Sequence, residues 1–437
     1  MCLLTLSSTN SDFSYIIYKN PETGMILKKI RQGIGYGFYA NETKYVVYFK
    51  DQHNEMSYKE NKDDHFEYLN VLRYTSPLFV LNAINEFFSS AMKGNHKSGI
   101  NDEQGYTNNL FINSCKVKNK NILNYFDKFF PKYKLNYKLK NEITGFYEIE
   151  IETEQSIEEL LNYSYVLFTT IVAVNRDYFD ITDNLIEKSI IAMNKLDVPY
   201  YIKHMFVCRV MYSNKCLIKF RNLIQECRRY ELKLEYGNTR EQRKNFISSN
   251  IMFDKDIIDV GCGKGFYAIR FSKKIKDKKY YAIDIDKEKL QKLERIIDKH
   301  EIKNIETFNS VYELIINIDL ETVYDILITE VIEHMKPDQS KKLLIDILKK
   351  IKFSTLVVTT PDKNFNKYFE LDIEFRHDDH EWEPDRDEFK EFMEDVFEGA
   401  GLDKKKLKIE YLLIGDTIKE KDGSVSSVSQ ALVLTKN

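Results

Sequence analysis

The sequence is poor in several features that would assign a protein to a large class at once. Its six cysteines form no C-x-x-C pair, so their spacing offers neither a disulfide framework nor a thiolate zinc site, and a reducing, cytoplasmic setting is expected. The longest apolar run, YVLFTTIVAV, is too short for a membrane span and is interrupted by threonines. The first residues, MCLLTLSSTNSD, lack the basic start and long apolar core of a signal peptide. We therefore expect a soluble cytoplasmic protein that works without a membrane.

An excess of positive charge is also missing. The chain carries 65 Lys and Arg residues against 68 Asp and Glu residues, a net charge of −3. The overall charge therefore gives no indication of a nucleic-acid ligand, although a local basic patch would suffice to bind one. Hydrophobic residues make up 43% of the 437 residues, which is enough to bury a core, and the length predicts two or three domains.

The pattern of apolar and polar residues changes near residue 235, at the polar segment EYGNTREQRKN. Before it, short apolar runs with Pro, Gly and Asn punctuation indicate strands to about residue 150, and residues 156–230 are mostly helical in pattern. We predict an N-terminal α+β region over 1–235, with a further division into about 1–150 and 151–235. Over 236–437 the strand-like runs DIIDVG, YYAIDID, YDILITE and STLVVTTPD alternate with helical segments, which indicates a mostly parallel α/β sheet. The last two runs, LKIEYLLIGD and SVSQALVLTKN, are expected to pair antiparallel.

A glycine-rich loop, DVGCGKG, joins the first of these strands to a helix. Gly261, Gly263 and Gly265 would let the backbone bend tightly and let a ligand approach closely. Asp259 precedes the loop, and Asp284 ends the next strand, where a carboxylate can accept hydrogen bonds from a ribose diol. The alternative is a structural turn with surface acids. The loop resembles motif I of the class I S-adenosylmethionine-dependent methyltransferases, a resemblance that implies a Rossmann-like, mostly parallel seven-stranded sheet with an antiparallel last pair.

The stretch EVIEHM places two carboxylates and an imidazole directly after the strand YDILIT. A helical turn there would put Glu330, Glu333 and His334 on one side. The two carboxylates would raise each other's pKa, a penalty that a divalent cation removes, and a donor set without sulfur suits Mg²⁺ or Mn²⁺. A further ligand is expected from the histidine-rich stretch EFRHDDHEWEPD, which holds His377 and His380. The alternative is an exposed acidic pair that starts a helix, beside a surface histidine.

Three stretches together, TEVIEHM, TTPDKNFN and FRHDDHEWEPDRDEF, resemble the HEN family of small-RNA 3′-terminal ribose 2′-O-methyltransferases. The resemblance implies that the metal ligands and catalytic residues are Glu330, Glu333, His334 and His380. It implies that the cofactor-binding residues are Asp259, Gly261, Gly263, Gly265, Asp284 and Ser310. The chain departs from the family pattern where Asp362 replaces the usual Asn, and around Trp382, Glu383 and Pro384.

The resemblance implies a reaction and a partner. A methyl group would pass from S-adenosylmethionine to the 2′-hydroxyl of the 3′-terminal nucleotide of RNA, with Mn²⁺ or Mg²⁺ binding the 2′ and 3′ oxygens, so that a free 2′,3′-diol end is required. His334 or His377 would assist proton removal, and Arg243 either meets a terminal phosphate or is a solvated surface arginine. The stretches LLTLSSTNSDFSYIIYKNPE and GYGFYANE resemble the N-terminal region of bacterial members. That region would contact and activate a polynucleotide kinase–phosphatase–ligase that repairs RNA.

Two other functions fit the same residues. A metal-dependent methyltransferase acting on a small vicinal diol would use the same chelation. A binding module without activity would use the N-terminal region to recruit the repair ligase, and its methyltransferase half would be vestigial.

Overall fold

The computed structural model describes residues 3–30, 33–51, 58–60, 66–68, 75–94, 100, 102, 104–142, 145–175, 181–275, 277–369 and 375–436. The chain divides into two compact units, Met1–Ile224 and Gln225–Asn437. The division lies ten residues before the boundary predicted near 235, because a short strand at Glu231–Lys233 pairs with a strand of the second unit.

The first unit contains an antiparallel sheet, which confirms the predicted strand-rich α+β character. Among the described residues this sheet has seven strands: β1 Leu3–Ser8, β2 Ile26–Ile30, β3 Gly33–Asn41, β4 Lys44–Asp51, β7 Asn108–Lys116, β8 Tyr133–Asn141 and β9 Phe146–Thr153. Their order in the sheet is β2-β3-β4-β1-β7-β9-β8. A separate pair is formed by β5 Tyr58–Glu60 and β6 Phe66–Tyr68.

The core helix of the first unit, Ile157–Asn175, contains the apolar run that we predicted to be too short for a membrane span. The helix has 19 residues and is long and apolar enough to cross a membrane, but 83% of its apolar window is buried inside the protein. Two of its buried polar side chains are hydrogen-bonded inside the protein: the Asn162 amide donates to the carbonyls of Glu158 and Met92, and the Ser164 hydroxyl donates to the Leu160 carbonyl. The other helices are Phe13–Ile16, Pro77–Phe88, Asn121–Phe129, Asp183–Lys195, Tyr200–Arg209 and Asn214–Gln225, the last ending at the start of the second unit.

The second unit contains the mostly parallel sheet that the alternating pattern predicted. Its order is β10-β16-β17-β15-β14-β11-β12-β13. The strands are β10 Glu231–Lys233, β11 Asp256–Val260, β12 Tyr280–Ile283, β13 Ile305–Phe308, β14 Tyr324–Thr329, β15 Phe353–Pro361, β16 Leu407–Lys419 and β17 Val425–Lys436. Strands β11 to β15 run parallel, and β16 and β17 form the predicted antiparallel pair. The predicted count of seven strands is wrong by one, because β10 pairs with β16 at the edge of the sheet within the described residues.

Helices and apolar clusters cover both faces of this sheet. The helices are Thr239–Asn250, Ala268–Phe271, Lys287–Lys299, Val311–Asn317, Pro337–Lys350 and Arg386–Ala400. Alternate strand residues enter opposite clusters: Ile258 and Ile326 belong to one, and Ile257 and Leu327 belong to the other. Strands β11 and β14 are parallel neighbours in which Val260 lies beside Ile328. The segments that follow these two strands therefore emerge side by side at one edge of the sheet, as in other open α/β sheets that bind ligands there.

Candidate active site

The segment after β14 does not continue as the predicted helical turn. Glu330 has a φ of 55°, in the left-handed region, and a 3₁₀ turn begins only at Ile332 and ends at His334. Holding a residue other than glycine there costs about 1 kcal/mol or more. A hydrogen bond of 3.0 Å from the Glu330 N–H to the Thr359 carbonyl fixes the segment to β15. The predicted helical turn is therefore wrong at Glu330, but the side chains of Glu330, Glu333 and His334 still line one cavity, as predicted.

Three of the four predicted metal ligands converge. Ligand atoms of Glu333, His334 and His380 all lie within 4.8 Å of one another, a spacing that could hold a metal ion. Glu333 is fully buried, and its Oε2 accepts a hydrogen bond of 3.2 Å from the Thr360 hydroxyl. Its Oε1 is buried and has no hydrogen-bond partner among the residues that the structure describes. Burial, followed by the nearby Glu330 carboxylate, raises the pKa of Glu333 well above its usual value.

Each histidine of this group is oriented through one ring nitrogen. His380 Nδ1 lies 2.5 Å from Glu383 Oε1, which leaves Nε2 available to a ligand. His334 Nδ1 lies 3.2 Å from the Asp379 carbonyl and 3.3 Å from the Asp379 carboxylate. Sequence reasoning missed the roles of Glu383 and Asp379 as orienting groups. The spacing of His380 and Glu383, three residues apart, was the available signal.

Glu330, the fourth predicted ligand, is engaged elsewhere. Its Oε2 lies 3.0 Å from the Arg243 guanidinium, and its Oε1 accepts a hydrogen bond of 3.1 Å from the Thr359 hydroxyl. The Arg243 side chain is only 13% exposed and also donates to the Ser429 hydroxyl, so it is not a solvated surface arginine. Glu330 therefore lies beside the three converging ligands and is held by an ion pair.

A cavity of about 360 Å³ opens onto these groups. Polar and apolar side chains contribute to its wall, which is lined by Thr239, Arg243, Glu330, Glu333, His334, Pro361, Phe369, Arg376, His377 and His380. The predicted ligands and both histidines considered for proton transfer thus share one cavity, whose volume is within the range of small-molecule sites.

The glycine loop after β11 has the conformation that its composition predicts. Gly261, Gly263 and Gly265 all have positive φ, and a Cβ on Gly261 would lie 2.3 Å from Val331 Cγ2, so only glycine fits against the segment that carries Glu330. A Cβ on Gly263 would meet nothing within 4 Å, which means that open space lies against the backbone there. The loop can therefore accept a ligand at close range.

The acids around the loop differ in accessibility. Asp284 Oδ2 accepts a hydrogen bond of 2.7 Å from the Gly263 N–H, and Oδ1 accepts one of 2.8 Å from the Asp286 N–H. Each carboxylate oxygen has a second acceptor position, so Asp284 can still accept from a ribose. Asp259 is completely buried, accepts a hydrogen bond of 2.8 Å from the Tyr280 hydroxyl, and burial raises its pKa to about 7. Asp259 therefore lies buried in β11 and pairs with Tyr280 of β12, while Asp284 keeps some exposed surface.

Ser310, the remaining predicted cofactor residue, lies after β13. Its hydroxyl accepts a hydrogen bond of 3.1 Å from the Glu313 N–H and caps the helix Val311–Asn317. It follows the strand next to β12, which ends just before Asp284, so both residues lie at the same edge of the sheet.

Comparisons with known proteins place the two units in known families. Residues 3–229, which are 227 of the 437 residues, match the model described as the Hen1 N-terminal domain, and residues 253–408 match a model described as a methyltransferase domain. A chain in a structure of a Pnkp1/Rnl/Hen1 RNA repair complex superposes with a TM-score of 0.78 at 22% identity, covering 99% of this chain and 100% of that chain. A second structure of a Pnkp1/Rnl/Hen1 complex gives 0.73 at 20% identity, with 100% of each chain covered. At these identities the likeness shows the fold alone. No curated protein sequence matches the chain.

Proposed function

The chain belongs to the Hen1 family, and on that premise we propose that it transfers a methyl group from S-adenosylmethionine to the 2′-hydroxyl of the 3′-terminal nucleotide of RNA. The observation that carries the proposal is Glu333 Oε1, a carboxylate oxygen buried without a hydrogen-bond partner among the described residues, beside His334 and His380. A buried carboxylate in that state is costly unless a cation pairs with it. The site is therefore suited to a divalent cation.

Glu333, His334 and His380 are the residues proposed to hold this cation. A set of one carboxylate and two imidazoles, without sulfur, suits Mn²⁺ or Mg²⁺. Bound there, the cation would supply Lewis acidity toward the vicinal hydroxyls of a terminal ribose. Glu330 is the fourth proposed donor, and its carboxylate would have to leave Arg243 to join the other three.

The protein's own groups position the two substrates. Thr360 holds Glu333, and Glu383 holds His380, so two of the proposed donors are oriented before any ligand binds. The glycine loop and Asp284 are proposed to hold S-adenosylmethionine, with Ser310 at the same edge of the sheet. Because β11 and β14 are parallel neighbours, the cofactor loop and Glu330 leave the sheet side by side. His377, which lines the cavity and is not a proposed ligand, is proposed to take the proton of the 2′-hydroxyl; His334 is the alternative only when its ring is not bound to the cation.

Methyl transfer to RNA ends tests this function directly. With short RNAs that differ only at the 3′ terminus, we expect transfer from S-adenosylmethionine to a 2′,3′-diol end in the presence of Mn²⁺, and none to a 3′-phosphate end. A phosphate would remove one hydroxyl and bring negative charge beside Glu330 and Glu333. Equal transfer to both ends contradicts the proposal, and transfer to catechol but to neither RNA would indicate a methyltransferase of small diols.

The N-terminal unit is proposed to contact and activate an RNA-repair ligase in the cytoplasm. The support is the match of residues 3–229 to the Hen1 N-terminal domain, together with the fold shared over the whole chain with a protein in an RNA repair complex. On this proposal, a variant that has lost methyl transfer through Glu333 still binds and activates a kinase–phosphatase–ligase. Loss of both functions together would argue against separate roles for the two units.

The contact between His380 and Glu383 predicts the effect of removing one charge behind the proposed metal site. In Glu383→Gln a neutral amide replaces the carboxylate that accepts from His380 Nδ1, so the ring is held less firmly. We expect the Mn²⁺ affinity to fall about 10- to 100-fold, as is typical when an outer partner of a ligating histidine is replaced. The measurement is Mn²⁺ titration by calorimetry.

Glu381→Gln is the matched control for this substitution. Glu381 lies beside His380, its side chain is exposed, and only its backbone N–H contacts the site, through the Glu333 carbonyl at 2.8 Å. The control should keep wild-type affinity. Equal losses in both variants would mean that general electrostatics, and not the orientation of His380, set the affinity.

A further inference from the structure

The cavity that holds the proposed metal ligands also has an apolar wall whose purpose the proposed reaction does not explain. Pro361 and Phe369 line it together with a largely polar set of side chains, and Phe369 contributes the one phenyl ring among the lining residues. Phe369 is the last residue of the 3₁₀ helix Lys363–Phe369 and is half-buried. The methyl-transfer chemistry needs only the ribose hydroxyls and the cofactor, so this ring is available to another part of the substrate.

The Phe369 ring is fixed by its neighbours. The fully buried Phe365 contacts it edge-on, with 5.6 Å between ring centroids and an angle of 64° between ring planes. The Arg376 guanidinium lies over the Phe369 ring, 5.1 Å from its centroid. Aromatic and cation–π contacts of this kind orient a ring with little residual freedom.

Arg376 is itself held from three sides. Its Nε donates to Asn366 Oδ1 at 2.5 Å, one terminal nitrogen donates to the Asp362 carbonyl at 2.8 Å, and the other donates to the Val428 carbonyl. The guanidinium therefore cannot swing away from Phe369 without losing several hydrogen bonds. A ring supported in this way is preorganised, so a ligand that packs against it loses little conformational entropy.

We propose that Phe369 stacks against the base of the 3′-terminal nucleotide and positions it without distinguishing the four bases. The inference rests on the proposed function, because a ribose whose hydroxyls face Glu333, His334 and His380 keeps its base inside the same cavity. An aromatic face suits every base, since each has a π-surface, and such stacking contributes about 1–3 kcal/mol per base. Phe369 is thus a substrate-positioning residue that makes the site require a base but ignore its identity.

The test uses the full-length protein and RNAs that share a 2′,3′-diol end but differ in the last residue, which is A, C, G, U or an abasic ribose. For the wild type we expect kcat/KM to vary by less than about threefold among the four bases and to fall about 5- to 160-fold for the abasic end. In Phe369→Ala, kcat/KM on base-ended RNA should fall by the same factor that separates the two kinds of end in the wild type. Its kcat/KM on the abasic end should equal that of the wild type. Phe369→Tyr, which keeps the π-face, should recover the wild-type pattern, and Phe369→Leu, which keeps only apolar volume, should not.

Two results would overturn the inference. One is a wild type that methylates the abasic end as fast as the base-ended RNAs, and the other is a Phe369→Ala variant that loses equally on both kinds of end. The Mn²⁺-induced rise in Tm, measured on each variant, should stay at the wild-type value and shows that the metal site is intact. Failure of the proposed function is distinct, because the wild type would then methylate no diol-ended RNA at all.

Discussion

Glu333→Ala is expected to abolish methyl transfer, lowering the rate by a factor of about 10³ or more, which corresponds to about 4 kcal/mol of barrier. The reason is that Glu333 supplies the only carboxylate in the converging group of three ligands. Without it, His334 and His380 remain beside Glu330, whose carboxylate is paired with Arg243. Two imidazoles without a converging carboxylate give a hard divalent cation too few donors. The measurement is single-turnover transfer to a diol-ended RNA at saturating Mn²⁺ and cofactor.

Removing the charge of Glu333 is expected to abolish activity but to stabilise the metal-free protein. Glu333 is fully buried with one oxygen unpartnered among the described residues, so its carboxylate destabilises the metal-free fold. Glu333→Gln keeps the size of the side chain and an oxygen for the Thr360 hydroxyl, but it removes the charge. In EDTA we therefore expect the Tm of Glu333→Gln to equal or exceed that of the wild type.

Adding Mn²⁺ should reverse this order. At about 100 times its Kd, a ligand stabilises the folded state by about 2.7 kcal/mol, or about 5–10 °C in Tm for a unit of this size. The wild type should show this rise and Glu333→Gln should not, while the exposed neighbour variant Glu381→Gln should behave as the wild type. A Glu333→Gln protein that still gains stability from Mn²⁺, or Glu333→Ala that still transfers methyl groups, would show that the cation is held elsewhere.

The strands and helices of the second unit could be predicted from the sequence because the residues that are apolar in the sequence pattern are also the ones buried in the fold. Strand β14 is buried at every residue, and its sequence, YDILIT, is mostly apolar and is interrupted by Asp325, as a strand inside a parallel sheet can be. The helix Lys287–Lys299 shows an apolar stripe in which Leu290 and Leu293 are buried. Strand β10 could not be predicted, because three residues with a single buried side chain carry no periodic signal. Its pairing depends on β16, which lies far away in the sequence.

The site could be predicted in its residues but not in its geometry. The spacing of Glu330, Glu333 and His334 suggested a helical turn, but a left-handed residue at Glu330 leaves no signature when the residue is not glycine. The ion pair of Glu330 with Arg243 was equally hidden, since 87 residues separate the two in the chain (330 − 243). What the sequence did carry was chemistry: a carboxylate and two imidazoles from two segments, which the structure brings within 4.8 Å of one another.

Asp284→Ala is expected to weaken S-adenosylmethionine binding about 100-fold, or about 2.7 kcal/mol. The contact of a ribose diol with a carboxylate is lost, and one hydrogen bond to a charged group contributes about 1.5–3 kcal/mol net of its exchange with water, so the expected loss is that of at least one such bond. The substitution also removes the acceptor of the Gly263 N–H, at 2.7 Å, and so loosens the loop that lies against the open space. Calorimetric titration with S-adenosylhomocysteine measures the loss without turnover.

The nearby Asp286→Ala separates cofactor binding from local stability. Asp286 caps the helix Lys287–Lys299 by accepting from the N–H groups of Glu288 and Lys289, so its loss should cost about 1 kcal/mol of stability while leaving cofactor affinity within about threefold. If Asp284→Ala bound S-adenosylhomocysteine with wild-type affinity, Asp284 would not be a cofactor-binding residue.

Because β11 leads to the loop and β14 leads to Glu333 and His334 through separate segments at one edge of the sheet, the two proposed sites should fail independently. Asp284→Ala should therefore keep its Mn²⁺-induced rise in Tm, and Glu333→Gln should keep its cofactor affinity, which is the pattern required of a site that assembles two substrates from two neighbouring strands.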